Sequence, residues 1–328
     1  MSLAILAEQP HINVFGFPIY AYAIIIVCGM AVAGVIIALL FKRRNMSVDL
    51  FLTYFCITVP VAVLTTRLFY CITDGMPITE WLNFESIRQG GLSIVGGIIG
   101  GAGSVLVISL VKKVNFFRAG DCIVVGLLIA QSIGRWGNFA NQEVYGAEVT
   151  NPALQFFPLA VYIDAESAWH YAFFFYESMA TLTAGILLFI NAWKNPYKPN
   201  GINTVCYFIV YGLVRSIMEP LRDSSYILNG GGVPWSLVFS ILMFVAGVGG
   251  LCALLIINKR KEGKYFGSLR GEPYGIAEYV KDNAKEIPCK NRINMMCKIY
   301  PEKYVDELSQ KDVGTAEKVT KEDEKAEK

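Results

Sequence analysis

Between Ile133 and Ala147 the chain reads Gly134-Arg135-Trp136-Gly137-Asn138-Phe139-Ala140-Asn141-Gln142-Glu143-Val144-Tyr145-Gly146. An almost uncharged apolar run, Cys122 to Ile133, leads into it, so an arginine arrives where a membrane-spanning helix is ending. A segment that only crosses a bilayer has no use for three glycines, two asparagines and a glutamate at that point. Glycines relax the backbone, a guanidinium offers a planar fork of donors matched to phosphate or carboxylate, and amides orient what docks beside it. The chemistry that this pattern suits is recognition of an anionic headgroup.

The elements that must position these residues are apolar helices. The chain has 328 residues of which 54% are hydrophobic, with a mean hydropathy of +0.44, which puts it among membrane proteins. Seven stretches are long enough to cross: roughly Ile19 to Phe41, Phe51 to Thr73, Leu92 to Val111, Cys122 to Phe139, Ala172 to Trp193, Thr204 to Leu221 and Trp235 to Asn258. Each is near the ~20 residues that a hydrocarbon core requires. The sequence therefore predicts an all-α integral membrane protein of seven transmembrane helices.

Orientation follows from the connecting loops. Lys42, Arg43 and Arg44 follow the first span, Lys112, Lys113 and Arg118 the third, Lys194 and Lys198 the fifth, and Lys259, Arg260 and Lys261 the seventh. The opposite side carries only Arg88 and Arg222. The excess of basic residues marks the cytoplasmic side, so the N-terminus is expected outside and the C-terminus in the cytoplasm. The first eighteen residues lack a basic n-region and an A-x-A-like cleavage site, so no removable signal peptide is expected.

From Lys259 onward lie 16 of the 29 Lys+Arg and 14 of the 27 Asp+Glu, so the net charge of +2 carries no message about nucleic acid. Residues 1–258 are expected to form the membrane catalytic domain, and 259–328 a charged, largely disordered cytoplasmic tail with too little apolar surface for a core. The eight cysteines include no CxxC pair; Cys28, Cys56, Cys122 and Cys252 lie in apolar runs and read as buried apolar thiols.

A charge inside a span costs about 2.5–3.5 kcal/mol at the helix centre, so such residues are rarely idle. With the orientation above, Arg135 and Asn138 sit at the outer end of span four, Arg215 and Glu219 in the outer half of span six, and Arg67 late in span two. Tyr20, Tyr22 and Ser93 are again external, on spans one and three. Arg215, Glu219 and Arg222 are spaced i, i+4, i+7 and share one helical face. Five helices thus bring polar groups to one depth. Snorkelling and interfacial anchoring account equally well for Arg67, Arg222 and Tyr20, and an intramembrane ion pair of structural purpose is an alternative for Arg215 with Glu219.

Other chemistries find less support. Gly90 to Gly103 holds seven glycines without the Lys-Ser/Thr of a P-loop, and Gly96xxxGly100 and Gly97xxxGly101 read as close helix packing. Gly91-Leu92-Ser93-Ile94-Val95 misses the GxSxG nucleophile elbow, and the only histidines are His11 and His170, the latter read as a capped or solvated interfacial residue. No metal-binding pattern and no cofactor motif is present. A transporter or channel is one alternative, disfavoured by the lack of related halves; a non-catalytic phospholipid-binding membrane protein is another.

The motif resembles the signature of phosphatidylglycerol–prolipoprotein diacylglyceryl transferases of bacterial membranes. The residues that carry it are Gly134-Arg135-x-Gly137-Asn138-Phe139-x-Asn141-x-Glu143-x-x-Gly146. Gly90-Gly91-Leu92-Ser93-x-x-Gly96-Gly97, Tyr176-Glu177, Arg215-x-x-x-Glu219-x-x-Arg222, and Tyr22 seven residues before Gly29 extend it, so that it covers Tyr20 to Asn258. The resemblance implies transfer of the diacylglyceryl group of phosphatidylglycerol to the lipobox cysteine thiol of an exported prolipoprotein, with thioether formation and release of glycerol phosphate, at the bacterial cytoplasmic membrane. It implies catalytic roles for Arg135, Arg215, Glu219 and Tyr22. Phosphatidylglycerol would be bound by Arg135, Asn138, Asn141, Glu143, Gly146 and Ser93. Arg135 and Asn138 would hold the phosphate, Arg215 would stabilise charge on the departing phosphate, and Glu219 would orient Arg215. Glu143 and Gly146 would shape the outer loop, and Tyr22 would line the site. A thiol with a pKa of about 8.5 is only a few per cent thiolate near neutrality, so a base or a positive field is part of the work. Many family members carry a histidine or tyrosine where this chain has Val95, which cannot accept a proton; the base role then falls to Glu143, Tyr22 or solvent, or the arginines' field suffices.

Overall fold

The computed structural model describes residues 10–14, 17–77, 81, 93–196, 200–221, 229–230 and 233–260. Seven helices are present among them: α1 (Ala21–Arg43), α2 (Val48–Thr73), α3 (Ile94–Val111), α4 (Phe116–Ala140), α5 (Phe173–Lys194), α6 (Ile202–Met218), and α7 (Trp235–Arg260). Six helical stretches are long and apolar enough to cross a membrane, and α3 is a shorter apolar helix. The molecule is thus a helical membrane protein. The expected tail lies outside the described residues apart from its first two positions, which end α7.

Side chains that a soluble protein would hide face outward along the helices, among them Val27, Val35, Leu64, Ile72, Ile99, Leu187, Leu242 and Val245. Apolar surface of that extent needs lipid as its solvent. Cys28, Cys56 and Cys252 belong to the same surface, whereas Cys71 and Cys122 are buried in protein. The expectation of buried thiols is corrected for the first three: an apolar run marks a membrane helix but not which of its faces meets protein.

Helix α4 is the hub. Of its apolar window 61% is buried, against 11% for α2 and for the outer part of the bundle formed by α7. It packs on α1, α5, α6 and α3. The core beneath it includes Leu40, Phe41, Tyr54, Val125, Leu128 and Leu188. Small residues let the backbones close up. A Cβ on Gly126 of α4 would stand 2.6 Å from the Ile37 side chain of α1, and one on Gly212 of α6 would stand 2.5 Å from the Phe244 nitrogen of α7. On α3, a Cβ at Gly96 would lie 2.2 Å from the Thr65 carbonyl oxygen of α2, and one at Gly100 would lie 1.9 Å from Thr65 Oγ1. The glycine-rich stretch is accordingly a helix-packing device, as its spacing predicts.

Alternating helix direction puts Arg43, Val111, Lys194 and Ile202 at one end of the bundle, where connections are short, and Ala21, Thr73, Ala140, Phe173 and Met218 at the other. The short-loop end is pinned by a buried charge cluster. Arg44 Nη1 lies 3.1 Å from Asp121 Oδ2, with side chains 2% and 0% exposed. Asp121 also accepts from Gly201 N at 2.9 Å, Thr204 N at 2.9 Å and Thr204 Oγ1 at 3.0 Å, so it satisfies the open N-terminal amides of α6. Arg44 donates to the Arg118 and Pro196 carbonyls, and Arg118 Nη2 donates to the Arg44 carbonyl at 2.7 Å. Arg44 and Arg118 were expected among loop charges, yet both are buried, and Arg118 lies inside α4, which begins at Phe116 rather than Cys122. Asn115 caps that helix by accepting from Phe117 N and Arg118 N.

Three antiparallel hairpins supplement the helices: β1 (His11–Val14) with β2 (Phe17–Tyr20), β3 (Ala160–Ile163) with β4 (Ala168–Tyr171), and β5 (Asn229–Gly230) with β6 (Val233–Pro234). All adjoin the long-loop end. The all-helical expectation omitted them. Ala160-Val161-Tyr162-Ile163 and Ala168-Trp169-His170-Tyr171 carry the β-branched and aromatic composition of strands around a four-residue turn, but so short a signal is overshadowed by the neighbouring apolar spans.

Candidate active site

At the long-loop end, α4, α5 and α6 each contribute a charged side chain to one cluster. Arg135 of α4 is ion-paired through Nη2 with Glu177 Oε2 of α5. Arg215 of α6 reaches the other oxygen of the same carboxylate, Nη1 lying 3.3 Å from Glu177 Oε1, and its Nη2 lies 2.7 Å from Glu219 Oε2. Glu219 opens the 3-10 turn that ends α6, and its Oε1 accepts from Ser236 Oγ of α7. Charges alternate along this chain from α4 to the turn after α6, where the Ser236 hydroxyl of α7 closes it. The carboxylates of Glu177 and Glu219 are 2% exposed, while the Arg135 and Arg215 side chains keep 20% and 13%. The guanidiniums therefore form the accessible face and the carboxylates back them.

The end of α4 is built to admit α1. The sequence motif suggested glycines that loosen the backbone, but the helix runs unbroken through Gly134 and Gly137 to Ala140. A Cβ on Gly137 would stand 2.7 Å from the Tyr22 ring, and one on Gly134 would stand 3.3 Å from Ile26. These glycines are sites of close approach, and the packing they allow outweighs their helix cost of about 1 kcal/mol each. Tyr22 is thereby laid against the face of α4 that carries the motif, within the field of Arg135 and Glu143.

Beyond α4 the chain knots. Glu143 Oε1 accepts from Asn138 Nδ2 at 3.2 Å and from Asn141 Nδ2 at 3.4 Å, so the two amides orient a carboxylate of their own motif. Gln142 (φ 50°) and Val144 (φ 61°) both hold left-handed backbone; for a β-branched valine that conformation is strained and persists only where the surroundings impose it. Gln142 is fastened to the hairpin through Asp164, by Nε2 to Oδ2 at 2.5 Å and by its Oε1 accepting from Asp164 N at 2.9 Å. Gly146 donates to the Tyr171 carbonyl at 3.1 Å, and its Cβ position is 2.6 Å from the Phe173 ring, so any side chain there would have to displace that ring. His170 Nδ1 lies 2.9 Å from the Gly146 carbonyl oxygen and Nε2 lies 2.9 Å from Glu166 Oε2, with the side chain 4% exposed. The interfacial histidine of the sequence reading is a buried clasp of the motif's last residue.

Arginines from two apolar helices gripping one shared carboxylate, beside an amide-lined turn, form a site able to bind an anion at the edge of a lipid phase. The family model for prolipoprotein diacylglyceryl transferase matches residues 10–253, which takes in every element described above except the last turns of α7. The chain belongs to that family. It is 32% identical over 260 residues to phosphatidylglycerol–prolipoprotein diacylglyceryl transferase 1 of Clostridium perfringens, covering 78% of this chain and 96% of the relative. The phosphatidylglycerol–prolipoprotein diacylglyceryl transferase of Finegoldia magna is 35% identical over 243 residues, 74% of this chain and 93% of its own length. That of Clostridioides difficile is 30% identical over 259 residues, 78% of this chain and 97% of its own length.

Against this membership in the prolipoprotein diacylglyceryl transferase family, the candidate residues divide into three groups. Arg135, Arg215 and Glu219 meet in the ion chain; Asn138, Asn141, Glu143 and Gly146 form the knot above it; Tyr22 packs on the helix between them. Ser93 precedes α3, and its backbone N–H donates to the Thr66 carbonyl of α2 at 3.0 Å. Arg67, 6% exposed, donates Nε to the Trp81 carbonyl at 3.2 Å and stacks over Tyr70, so it braces the α2–α3 connection. Gly90, Gly91 and Arg222 of the motifs lie outside the described residues. The residue that sequence reasoning passed over is Glu177. Its Tyr-Glu pair was noticed, but a lone carboxylate in a span reveals its purpose only when the cations facing it are known. Ser178, next to it, accepts from Trp136 Nε1 at 3.2 Å and holds α5 against α4.

Proposed function

We propose that this chain transfers the diacylglyceryl group of phosphatidylglycerol to the cysteine thiol in the lipobox of an exported prolipoprotein, forming a thioether and releasing glycerol phosphate. The observation that carries this reading is the meeting of Arg135 and Arg215, from separate apolar helices, on the Glu177 carboxylate. Relatives that match over nearly their whole length bear the name of that activity. Arg135 holds the lipid phosphate, with the Asn138, Asn141 and Glu143 turn shaping the mouth of the site. Arg215, oriented by Glu219, stabilises the charge that grows on the departing phosphate. Tyr22 lines the approach, and Gly146 keeps the outer turn closed on Phe173.

In this reading all seven helices cross the bacterial cytoplasmic membrane, α3 included. The N-terminus and the site face outward, and Arg43, Lys112, Lys113 and Lys194 face the cytoplasm. Such a location suits both substrates, since phosphatidylglycerol arrives laterally from the outer leaflet and the prolipoprotein arrives through translocation. Residues 1–258 carry the chemistry. A chain ending at Arg260 is expected to retain transfer near the full-length rate, and a loss of about 10²-fold or more, the effect of one transition-state contact, would show that the tail takes part.

The deciding assay uses purified protein, labelled phosphatidylglycerol and a lipobox peptide, scored for a lipidated thiol. Label on the peptide cysteine supports transfer. Binding of the lipid with no modification of peptide, or movement of a solute across vesicles with no lipid chemistry, would replace this reading by a lipid-binding protein or a transporter.

A further inference from the structure

We propose that Glu177 accepts the thiol proton in the transfer reaction, an assignment that rests on the reaction proposed above. Sulfur attacks as thiolate, so some group near the arginines must take a proton. The chain has two histidines, the usual base at neutral pH. His170 is engaged on the Gly146 carbonyl, and His11 lies on the hairpin ahead of α1 with its ring 6.0 Å from that of Tyr20. Tyr22 ends in a phenol, which keeps its own proton near neutral pH, so among the described residues carboxylates remain. Glu143 is held by the amides of Asn138 and Asn141, and Glu219 by Arg215 and Ser236. Glu177 differs in what it faces: the ion pairs described for it are with the two guanidiniums that a lipid phosphate would engage.

Charge decides the direction of proton flow. Two arginines and the carboxylates of Glu177 and Glu219 sum to zero in a cluster whose carboxylates are 2% exposed. A phosphodiester taken up between Arg135 and Arg215 adds one negative charge beside two buried carboxylates, and competes for the donors that now face Glu177. Uptake of one proton by the displaced carboxylate restores neutrality. The charged groups that face it are Arg135 of α4, whose field also reaches Tyr22, and Arg215 of α6, which pairs with Glu219 as well.

The S–H proton moves to a Glu177 oxygen. The sulfur lone pair forms the C–S bond at the glyceryl carbon that bears the phosphate ester, and that C–O bond breaks with its electron pair remaining on the phosphate oxygen. Glycerol phosphate departs as a dianion between the two guanidiniums, and the Glu177 proton follows it. The carboxylate then returns to its two arginines, which readies the site for another lipid.

The test compares full-length wild type and Glu177→Gln on two lipobox peptides, one with cysteine and one with selenocysteine, whose selenol is already ionised at neutral pH. Glu177→Gln is expected to slow the cysteine peptide by about 10²–10⁴-fold, with the deficit shrinking as pH rises toward thiol ionisation, while the selenocysteine peptide comes within about tenfold of its wild-type rate. Equal slowing of both peptides would overturn the proposal, leaving Glu177 as a mere holder of the arginines. Should Glu177→Gln fail to fold, Glu177→Asp keeps the carboxylate. Its cysteine-to-selenocysteine rate ratio should match wild type at neutral pH, and a ratio fallen by about 10²-fold would overturn the role as well. No transfer to either peptide by wild type overturns the reaction itself.

Discussion

Arg215→Ala lowers diacylglyceryl transfer by about 10²-fold or more while the protein still folds, the typical loss when a donor to developing transition-state charge is removed. The expectation rests on geometry. Arg215 Nη1 and Nη2 lie 3.3 Å and 2.7 Å from two carboxylates on different elements, so its guanidinium plane is fixed before substrate arrives. The loss should appear in kcat, because the charge that it meets is that of the leaving phosphate. Arg135→Ala should be as damaging in kcat/KM but weigh more on KM, since Arg135 is the more exposed of the two and meets the lipid first. Arg215→Lys should rescue little: an ammonium is a point charge without the fork that reaches both carboxylates. Rates on labelled phosphatidylglycerol, with a thermal melt of each variant to establish folding, check these outcomes. An Arg215→Ala enzyme within about threefold of wild type would remove this residue from the chemistry.

Asp121→Ala is the largest expected loss of stability, about 3–5 kcal/mol, because it strands Arg44 as a buried charge and leaves α6 amides without their acceptor. Arg44 and Asp121 are 2% and 0% exposed, so solvent offers no relief. A fall in the melting temperature in detergent measures the effect. Adding Arg44→Met to Asp121→Ala should recover part of it, since the unpaired cation is then gone. Unchanged melting of Asp121→Ala would mean that the cluster is incidental. Activity is a second readout. The Arg44–Asp121 cluster and the Arg135–Glu177–Arg215 cluster occupy opposite ends of α4 and α6, so slackening the first loosens the spacing that the second needs.

Much of this was legible in the linear chain. Arg135 amid glycines and asparagines announces a site because nothing else explains a guanidinium at the end of an apolar run, and Arg215 with Glu219 announces a pair because four residues separate neighbours on a helix face. Glu177 escaped for a physical reason. A carboxylate in a membrane helix demands partners, but they come from α4 and α6, whose rotation about their axes is set by packing such as Gly137 against Tyr22 and Gly212 against Phe244. Arg44 and Arg118 misled for the converse reason: basic residues beside span ends ordinarily face water, and here Asp121 with the Arg118 and Pro196 carbonyls takes Arg44 inward while the Arg44 carbonyl takes Arg118. Ser93 shared a depth with the arginines by position along its helix, yet its described contact is to α2.

Hydropathy and charge are sums over neighbouring residues, so composition alone determined that the chain is a multi-span membrane protein with basic residues gathered at one end and guanidiniums at the other. Local spacing likewise determined that the glycines of α3 pack helices, because i, i+4 positions share a face whatever the fold, whereas the packing role of Gly137 waited for α1 to be in place. Which side chains actually touch depends on where separate helices sit and how each is turned, and that is a property of the whole bundle. Only the tertiary structure decided that Arg135 and Arg215 share the Glu177 carboxylate, that His170 clasps Gly146, and that Asp121 locks the far end.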